Sequence, residues 1–116
     1  MLVLGAHPNP DRYGNLVPRR LISLGYPVVL VGKRRGNIEN EEIQQSIPEG
    51  IEIHTVTMYL NAGNQKGWES QLEALKPKRI VFNPGAENPD WYARLEAKGI
   101  EAVEACTLVL LSTQQF

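Results

Sequence analysis

The sequence contains a single cysteine, Cys106, so no disulfide can form within the chain. This excludes the small secreted scaffolds that depend on several disulfides, and it fits a reducing compartment. Long apolar runs are also missing. None approaches the roughly 20 residues that cross a bilayer, and no basic leader precedes the short run at residues 1–6. We expect a cytoplasmic protein without a membrane partner.

Neither sign of charge is in excess, because the sequence has 12 basic and 13 acidic residues and a pI of about 6.1. Binding to nucleic-acid phosphates usually requires a basic surface, so we expect no nucleic-acid partner. Hydrophobic residues make up 42% of the chain, which is enough to bury a core and excludes a disordered protein. The length fits one domain, which we expect to span residues 1–116.

Short runs of aliphatic and β-branched residues alternate with longer segments of helical spacing. This alternation is typical of β-α-β units and predicts an α/β fold with a five-stranded, mostly parallel sheet. The strands are predicted at residues 2–6, 27–32, 51–60, 79–82 and about 101–105, and the polar stretch 37–50 is predicted to be a loop with at most one helical turn. Helices are predicted from Asn15 to Gly25, with Pro18 in the first turn, from Gln65 to Leu75, from Pro89 to Lys98 and over residues 106–112.

The segments that follow the predicted strands are the place to look for a site, because ligands of open parallel sheets bind beyond the carboxyl ends of the strands. These segments are rich in glycine, proline, asparagine and cations. They are the loop that begins at Gly5, the cluster at Lys33, residues 59–61, residues 83–85, and Cys106 with Thr107.

The first of these loops, residues 5–15, is longer than a dinucleotide-binding turn and lacks the pattern G-x-G-x-x-G. Glycines near both ends, Gly5 and Gly14, let a backbone approach a ligand closely. The loop leads into a helix N-terminus, which favours a phosphate, and Arg12 can add a charge-assisted contact. An ordinary connection between a strand and a helix is the alternative.

Three cations, Lys33, Arg34 and Arg35, follow the second predicted strand. An enzyme that uses NAD is expected to carry an acidic residue there, which would hold the ribose diol. Cations instead favour a phosphorylated ribose, as in NADP with its 2′-phosphate or coenzyme A with its 3′-phosphate. A solvated surface turn is the alternative interpretation.

Candidate catalytic groups are few. His7 has no carboxylate or nucleophile near it in sequence, so we expect it to donate hydrogen bonds to a ligand or to the backbone rather than to transfer protons. For Cys106, a small buried side chain is favoured over a reactive thiol. The carboxylates show no spacing typical of a metal site. We predict no catalytic and no metal-binding residues.

Five segments carry a family resemblance: GAHPNPDRY from Gly5, VGK from Val31, TMYLN from Thr57, FNPGAEN from Phe82 and EACT from Glu104. In this order and spacing the chain resembles the small stand-alone coenzyme A-binding domain proteins. Their fold is shared with the N-terminal domain of the succinyl-CoA synthetase alpha subunit. The resemblance covers nearly the whole chain and implies a three-layer Rossmann-like domain.

The resemblance also implies roles for residues at the strand ends. Lys33, with Arg34 beside it, meets the phosphorylated adenosine end, and Tyr59 and Leu60 line the adenine side. Asn83, Pro84 and Gly85 border the pantetheine channel. The residues expected to wrap the diphosphate and its ribose are Gly5, Ala6, His7, Arg12, Tyr13, Gly14 and Asn15. The family commonly has serine where this chain has Gly14, which removes a hydroxyl donor from that set.

The function expected on these grounds is binding of coenzyme A, or of an acyl-CoA, without catalytic activity. The synthetase carries its phosphorylated histidine in another domain, and nothing in this sequence matches it. Two alternatives stay open: a minimal NADP-dependent oxidoreductase, and an interaction protein with a vestigial nucleotide pocket. The oligomeric state is open as well, a homo-oligomer included.

Overall fold

A computed structural model describes residues 1–114. The strands are β1 (Leu2–Leu4), β2 (Val29–Val31), β3 (Asn37–Ile38), β4 (Glu41–Gln44), β5 (Thr55–Met58), β6 (Arg79–Phe82) and β7 (Glu101–Glu104). The helices are α1 (Tyr13–Ser23), α2 (Ala62–Gln65), α3 (Glu69–Leu75), α4 (Pro89–Ala97) and α5 (Thr107–Ser112), and a 3₁₀ turn, Lys66–Trp68, joins α2 to α3.

The strands form one sheet of seven in the order β3-β4-β2-β1-β5-β6-β7. All neighbours pair in parallel except β3 and β4, which are antiparallel. The α/β class and the mostly parallel sheet are therefore confirmed, but the prediction of five strands is wrong.

The two unpredicted strands, β3 and β4, lie in the segment 37–50 that was expected to be a loop. Each contributes one buried apolar residue, Ile38 or Ile43, and the other residues of both strands are exposed. A single apolar position cannot show the alternation that identifies a strand in a sequence. The turn between them has no glycine at the position where one is usual. Glu39 adopts the positive φ there, 54°.

Alternate side chains of β1 enter two separate hydrophobic clusters. Leu2 and Leu4 belong to a cluster that includes Leu72 of α3 and Trp91 of α4. Val3 belongs to the other, whose members include Val17 and Leu21 of α1 and Ile38 and Ile43 of the hairpin. This alternation follows from the two-residue period of a strand and fixes the central strands between the helices.

Helix α1 differs from its predicted form because it begins at Tyr13, so Pro18 lies beyond the first turn. Proline has no N–H to donate to the carbonyl four residues earlier, which belongs to Gly14. That carbonyl accepts the backbone N–H of His7 instead, at 3.1 Å. The bond that Pro18 cannot make is thus replaced by one that ties the preceding loop to the helix.

The helix predicted from Gln65 to Leu75 is divided into α2, the 3₁₀ turn and α3, and it begins earlier than expected. The Asn61 side chain caps α2 by accepting the N–H of Asn64 at 2.9 Å, which accounts for the earlier start. At the other end, Lys76 adopts a left-handed conformation immediately before Pro77. None of the helices within the described chain has the length and apolar character needed to span a bilayer.

Candidate functional site

The segments expected to form a site lie on one edge of the sheet, which we call the carboxyl edge. Strands β2, β1, β5, β6 and β7 run parallel and end there in that spatial order. In the same order the edge carries the Lys33 cluster, the first loop, residues 59–61, residues 83–85, and Cys106 with Thr107. Neighbouring strands are about 4.8 Å apart, so the edge extends about 19 Å from β2 to β7.

The first loop is held by its own hydrogen bonds. The N–H groups of Gly5 and Ala6 both donate to the Val31 carbonyl, at 2.9 and 3.0 Å. Asn15 is buried, and its side chain donates to the His7 carbonyl at 2.9 Å. Its oxygen accepts from the Arg19 guanidinium at 2.7 Å. Both polar atoms of the Asn15 side chain therefore bind the protein, so Asn15 positions the loop.

The glycines of this loop allow close contacts between segments of the protein's own backbone. A Cβ at Gly14 would lie 2.3 Å from the Gly5 carbonyl oxygen, and one at Gly32 would lie 2.1 Å from the Ala6 carbonyl oxygen. Gly5 has a φ of +102°, and its Cβ position is 3.0 Å from the Tyr59 Cβ. Serine does not fit at position 14 in this backbone. Close approach of the backbone to a ligand at Gly5 and Gly14 stays a prediction, whereas the close contact at Gly32 was not predicted from the sequence.

His7 is half-buried, and its ring has a defined tautomer. Its Nδ1 atom accepts the N–H of Asn9 at 3.0 Å, so the proton of the neutral imidazole must be on Nε2. Partial burial, followed by the positive charges of Arg12 and Arg34, lowers the pKa of His7. The ring is therefore a neutral hydrogen-bond donor that lies in the field of two cations.

The cations that follow β1 and β2 have no acidic partner among the described residues. Arg12, Lys33 and Arg34 are all exposed, and no ion pair within residues 1–114 involves them. Arg12 immediately precedes α1, which begins without a capping side chain and without an acidic residue in its first turn. The carboxyl ends of β1 and β2 thus combine unpaired positive charge with an uncapped helix N-terminus, a combination that favours an anion.

Beyond β5 the edge becomes less charged. Tyr59 and Leu60 are half-buried, and the Tyr59 hydroxyl is excluded from solvent. Burial, and to a smaller extent the nearby Cys106 and Tyr13, raises the pKa of Tyr59 far above its ordinary value. The hydroxyl of Thr107 beside it is also buried, and its contact with the Tyr59 hydroxyl offsets a part of this rise in pKa.

Asn83 lies beneath the carboxyl edge, where it connects the ends of three elements. Its side-chain nitrogen donates to the Met58 carbonyl at 3.0 Å, and its oxygen accepts the N–H of Thr107 at 2.8 Å. The side chain is only 2% exposed, whereas Pro84 and Gly85 after it are exposed. Of the three residues predicted to border the pantetheine channel, only Pro84 and Gly85 are therefore accessible to solvent.

A model of the coenzyme A-binding domain family matches residues 1–112. The chain belongs to this family. No curated protein matches the chain.

Solved structures extend the likeness of this coenzyme A-binding domain. A crystal structure of an uncharacterized protein is 42% identical over 99% of this chain and 95% of its own, with a TM-score of 0.94. A protein from Thermus thermophilus is 25% identical over 99% of this chain and 88% of its own, with a TM-score of 0.86. A conserved hypothetical protein from Pyrococcus furiosus is 24% identical over 93% of this chain and 95% of its own, with a TM-score of 0.77. This likeness shows the fold alone.

Gln65 is a structural residue of this coenzyme A-binding domain that the sequence analysis did not identify. It is fully buried, and its side-chain nitrogen donates to the carbonyls of Leu60 and Ala86, both at 2.7 Å. Its oxygen accepts from the Asn88 side chain at 3.0 Å. Gln65 thus joins the segments that follow β5 and β6. A glutamine in a helical stretch gives no sequence signal of such a role.

Proposed function

We propose that this chain binds coenzyme A, or an acyl derivative of it, and carries no catalytic activity of its own. Family membership supports coenzyme A binding in general. The observation that carries the proposal is the set of unpaired cations at the carboxyl ends of β1 and β2, Arg12, Lys33 and Arg34, of which Arg12 and Arg34 act on the neutral ring of His7. Coenzyme A presents a diphosphate and a 3′-phosphate, and both are anions that such groups bind.

The diphosphate is assigned to the first loop and the start of α1. The first N–H groups of a helix have no acceptor within the helix, and here no side chain of the protein caps them. Arg12 and the Nε2–H group of His7 add one charged and one neutral donor. We therefore assign the ribose and diphosphate to residues 5–7 and 12–15, with Gly14 and Asn15 shaping the loop rather than contacting the ligand.

The other groups of coenzyme A are assigned along the carboxyl edge. Lys33 and Arg34 take the 3′-phosphate at the end of β2. The backbone of Tyr59 and Leu60 lies on the adenine side, and Pro84 and Gly85 border the pantetheine, supported from below by Asn83. We propose that residues 1–116 form one domain with three layers. Its support is that alternate β1 side chains enter two separate hydrophobic clusters.

Calorimetry with coenzyme A and dephospho-coenzyme A tests the assignment of the 3′-phosphate. Losing a charge-assisted contact to the phosphate costs about 1.5–3 kcal/mol, so we expect dephospho-coenzyme A to bind about 10- to 150-fold more weakly. The double variant Lys33→Ala/Arg34→Ala should lose this preference. Its control is Lys78→Ala/Lys98→Ala, which removes the same charge from exposed residues that precede β6 and β7 at the opposite edge.

The two possible failures have different meanings. Equal affinity of the unaltered protein for both ligands would contradict the role of Lys33 and Arg34. Absence of binding to either ligand would contradict the proposed function as a whole.

A further inference from the structure

A groove away from the carboxyl edge gathers exposed apolar side chains. Its cavity volume is about 850 Å³, and residues of α1, of the turn between β3 and β4, and of α5 line it. Leu16, Leu24 and Val109 belong to this lining, and their exposed fractions are 39%, 53% and 54%. Among the described residues, they are three of the five large hydrophobic residues that are exposed. Apolar side chains that are gathered on a surface, rather than scattered over it, are typical of an interaction site.

The groove, which we call the α1–α5 groove, is held by packed elements. Leu16, Arg20 and Leu24 follow one another at intervals of four residues, so they lie along one side of α1. Another side of α1 is buried, where Val17 joins the hydrophobic cluster beneath the helix. Leu108 of α5 packs against the same cluster. Both helices are therefore fixed to the domain, and the apolar side chains of the groove stay uncovered.

The groove also carries one unpaired charge of each sign. Arg20 and Glu39 both line it and are exposed, and neither forms an ion pair within residues 1–114. The third charged residue of the lining, Arg19, is engaged within the chain, since its guanidinium donates to the Asn15 side chain at 2.7 Å and to the Pro10 carbonyl at 3.1 Å. Glu39 has a φ of 54°, which a glycine would adopt without strain, so the turn does not require glutamate.

We propose that the α1–α5 groove binds a second copy of this chain in a two-fold symmetric dimer, in which Arg20 of each protomer pairs with Glu39 of the other. A two-fold interface uses the same surface on both protomers, so that surface must be complementary to itself. Apolar side chains with one free cation and one free anion meet this condition. A partner that carries charge of one sign, such as a nucleic acid or an anionic membrane, would match only one of the two charges.

The size of the groove sets the strength of the expected dimer. Eleven described residues line it, whereas each side of a stable interface has roughly 20–30 residues. We therefore expect a reversible dimer whose fraction rises with protein concentration. The proposal does not use coenzyme A, so it stands or fails independently of the proposed function.

Analytical ultracentrifugation of the unaltered chain, from about 1 μM to about 1 mM, tests whether the dimer forms. We expect the average mass to rise with concentration from 13.0 kDa toward twice that value. A mass that stays at 13.0 kDa throughout would overturn the proposal and leave the groove to another kind of partner. A mass that grows beyond two copies would contradict the two-fold arrangement.

Reversing the two charges tests whether the dimer uses this groove. Arg20→Glu and Glu39→Arg, each measured alone, place like charges at both symmetric contacts, so we expect the dimer to be about tenfold weaker or more. An equimolar mixture of the two variants should dimerise again, because each contact in the mixed dimer then joins one cation and one anion. Leu24→Asp, which places a charge among the apolar side chains, should also weaken the dimer, and mixing does not restore it.

Matched controls make the same changes of charge outside the groove. Lys98→Glu and Glu49→Arg alter exposed residues that do not line it, so both variants should dimerise as the unaltered chain does. Circular dichroism verifies that every variant is folded. Dimers that persist in Arg20→Glu and Glu39→Arg alone, or a mixture of these two variants that stays monomeric, would refute the pairing of Arg20 with Glu39.

Discussion

The backbone N–H of His7 donates a hydrogen bond to the carbonyl of Gly14, with 3.1 Å between the two atoms. The carbonyl is free for this bond because Pro18, four residues further along α1, has no N–H. The loop therefore closes on the first turn of the helix that follows it. Its shape is therefore set by the protein's own contacts.

Replacing Gly14 with alanine should destabilise the protein by about 2 kcal/mol or more, because the new Cβ would collide with the Gly5 carbonyl oxygen. Urea unfolding monitored by circular dichroism measures the change. Gly67→Ala is the matched control, since nothing lies within 4 Å of its Cβ position and its φ is not positive. Equal stability of the two variants would mean that the loop adopts another backbone path.

The lowered pKa of His7 predicts how stability depends on pH. The unfolded chain takes up the proton near pH 6.5, but the folded protein does so only at lower pH. The unfolded state thus binds more protons in that interval, so this group favours unfolding as the pH falls from about 6.5 toward the folded pKa. Above that interval it has no effect.

His7→Asn provides the comparison, because its side-chain oxygen can accept the Asn9 N–H without titrating. Thermal unfolding between pH 7.5 and 5 should show a larger loss of stability in the unaltered protein than in the variant. Parallel losses would show that His7 is not the group responsible.

Gln65→Met should cost about 3 kcal/mol or more in the free energy of unfolding, since it leaves the carbonyls of Leu60 and Ala86 and the Asn88 side chain without their partner. Gln71→Met, at an exposed position of α3, should change stability by about 0.5 kcal/mol at most. If coenzyme A affinity falls as well in Gln65→Met, the segments after β5 and β6 must be held in place for binding. A loss of stability no larger than that of the control would contradict the role given to Gln65.

Much of the fold can be predicted from the sequence because its strands are short, apolar and separated by clear breaks. Strand β6 occupies the predicted residues, Arg79–Phe82, and α4 begins at Pro89 as expected. Strands β3 and β4 could not be predicted, because each buries one side chain and the rest of the hairpin is polar. Their position next to β2 depends on tertiary pairing that a local pattern does not record.

The predicted site segments lie on one edge, as expected from parallel strands, but the individual roles depend on contacts that a sequence does not show. Glycine is required at position 14 by a carbonyl of the same loop, and Asn83 uses both of its polar atoms within the protein. Neither residue type shows by itself whether its partner is a ligand or the chain. Gln65 could not be found because its partners lie on three segments separated in sequence.

A crystal structure of the complex with coenzyme A shows directly which groups of the ligand lie at which end of the carboxyl edge. We expect density for the 3′-phosphate beside Lys33 and Arg34, the diphosphate at the first loop and the start of α1, and the pantetheine beside Pro84 and Gly85. Density in the reverse orientation, or at a place remote from this edge, would contradict the proposed binding mode.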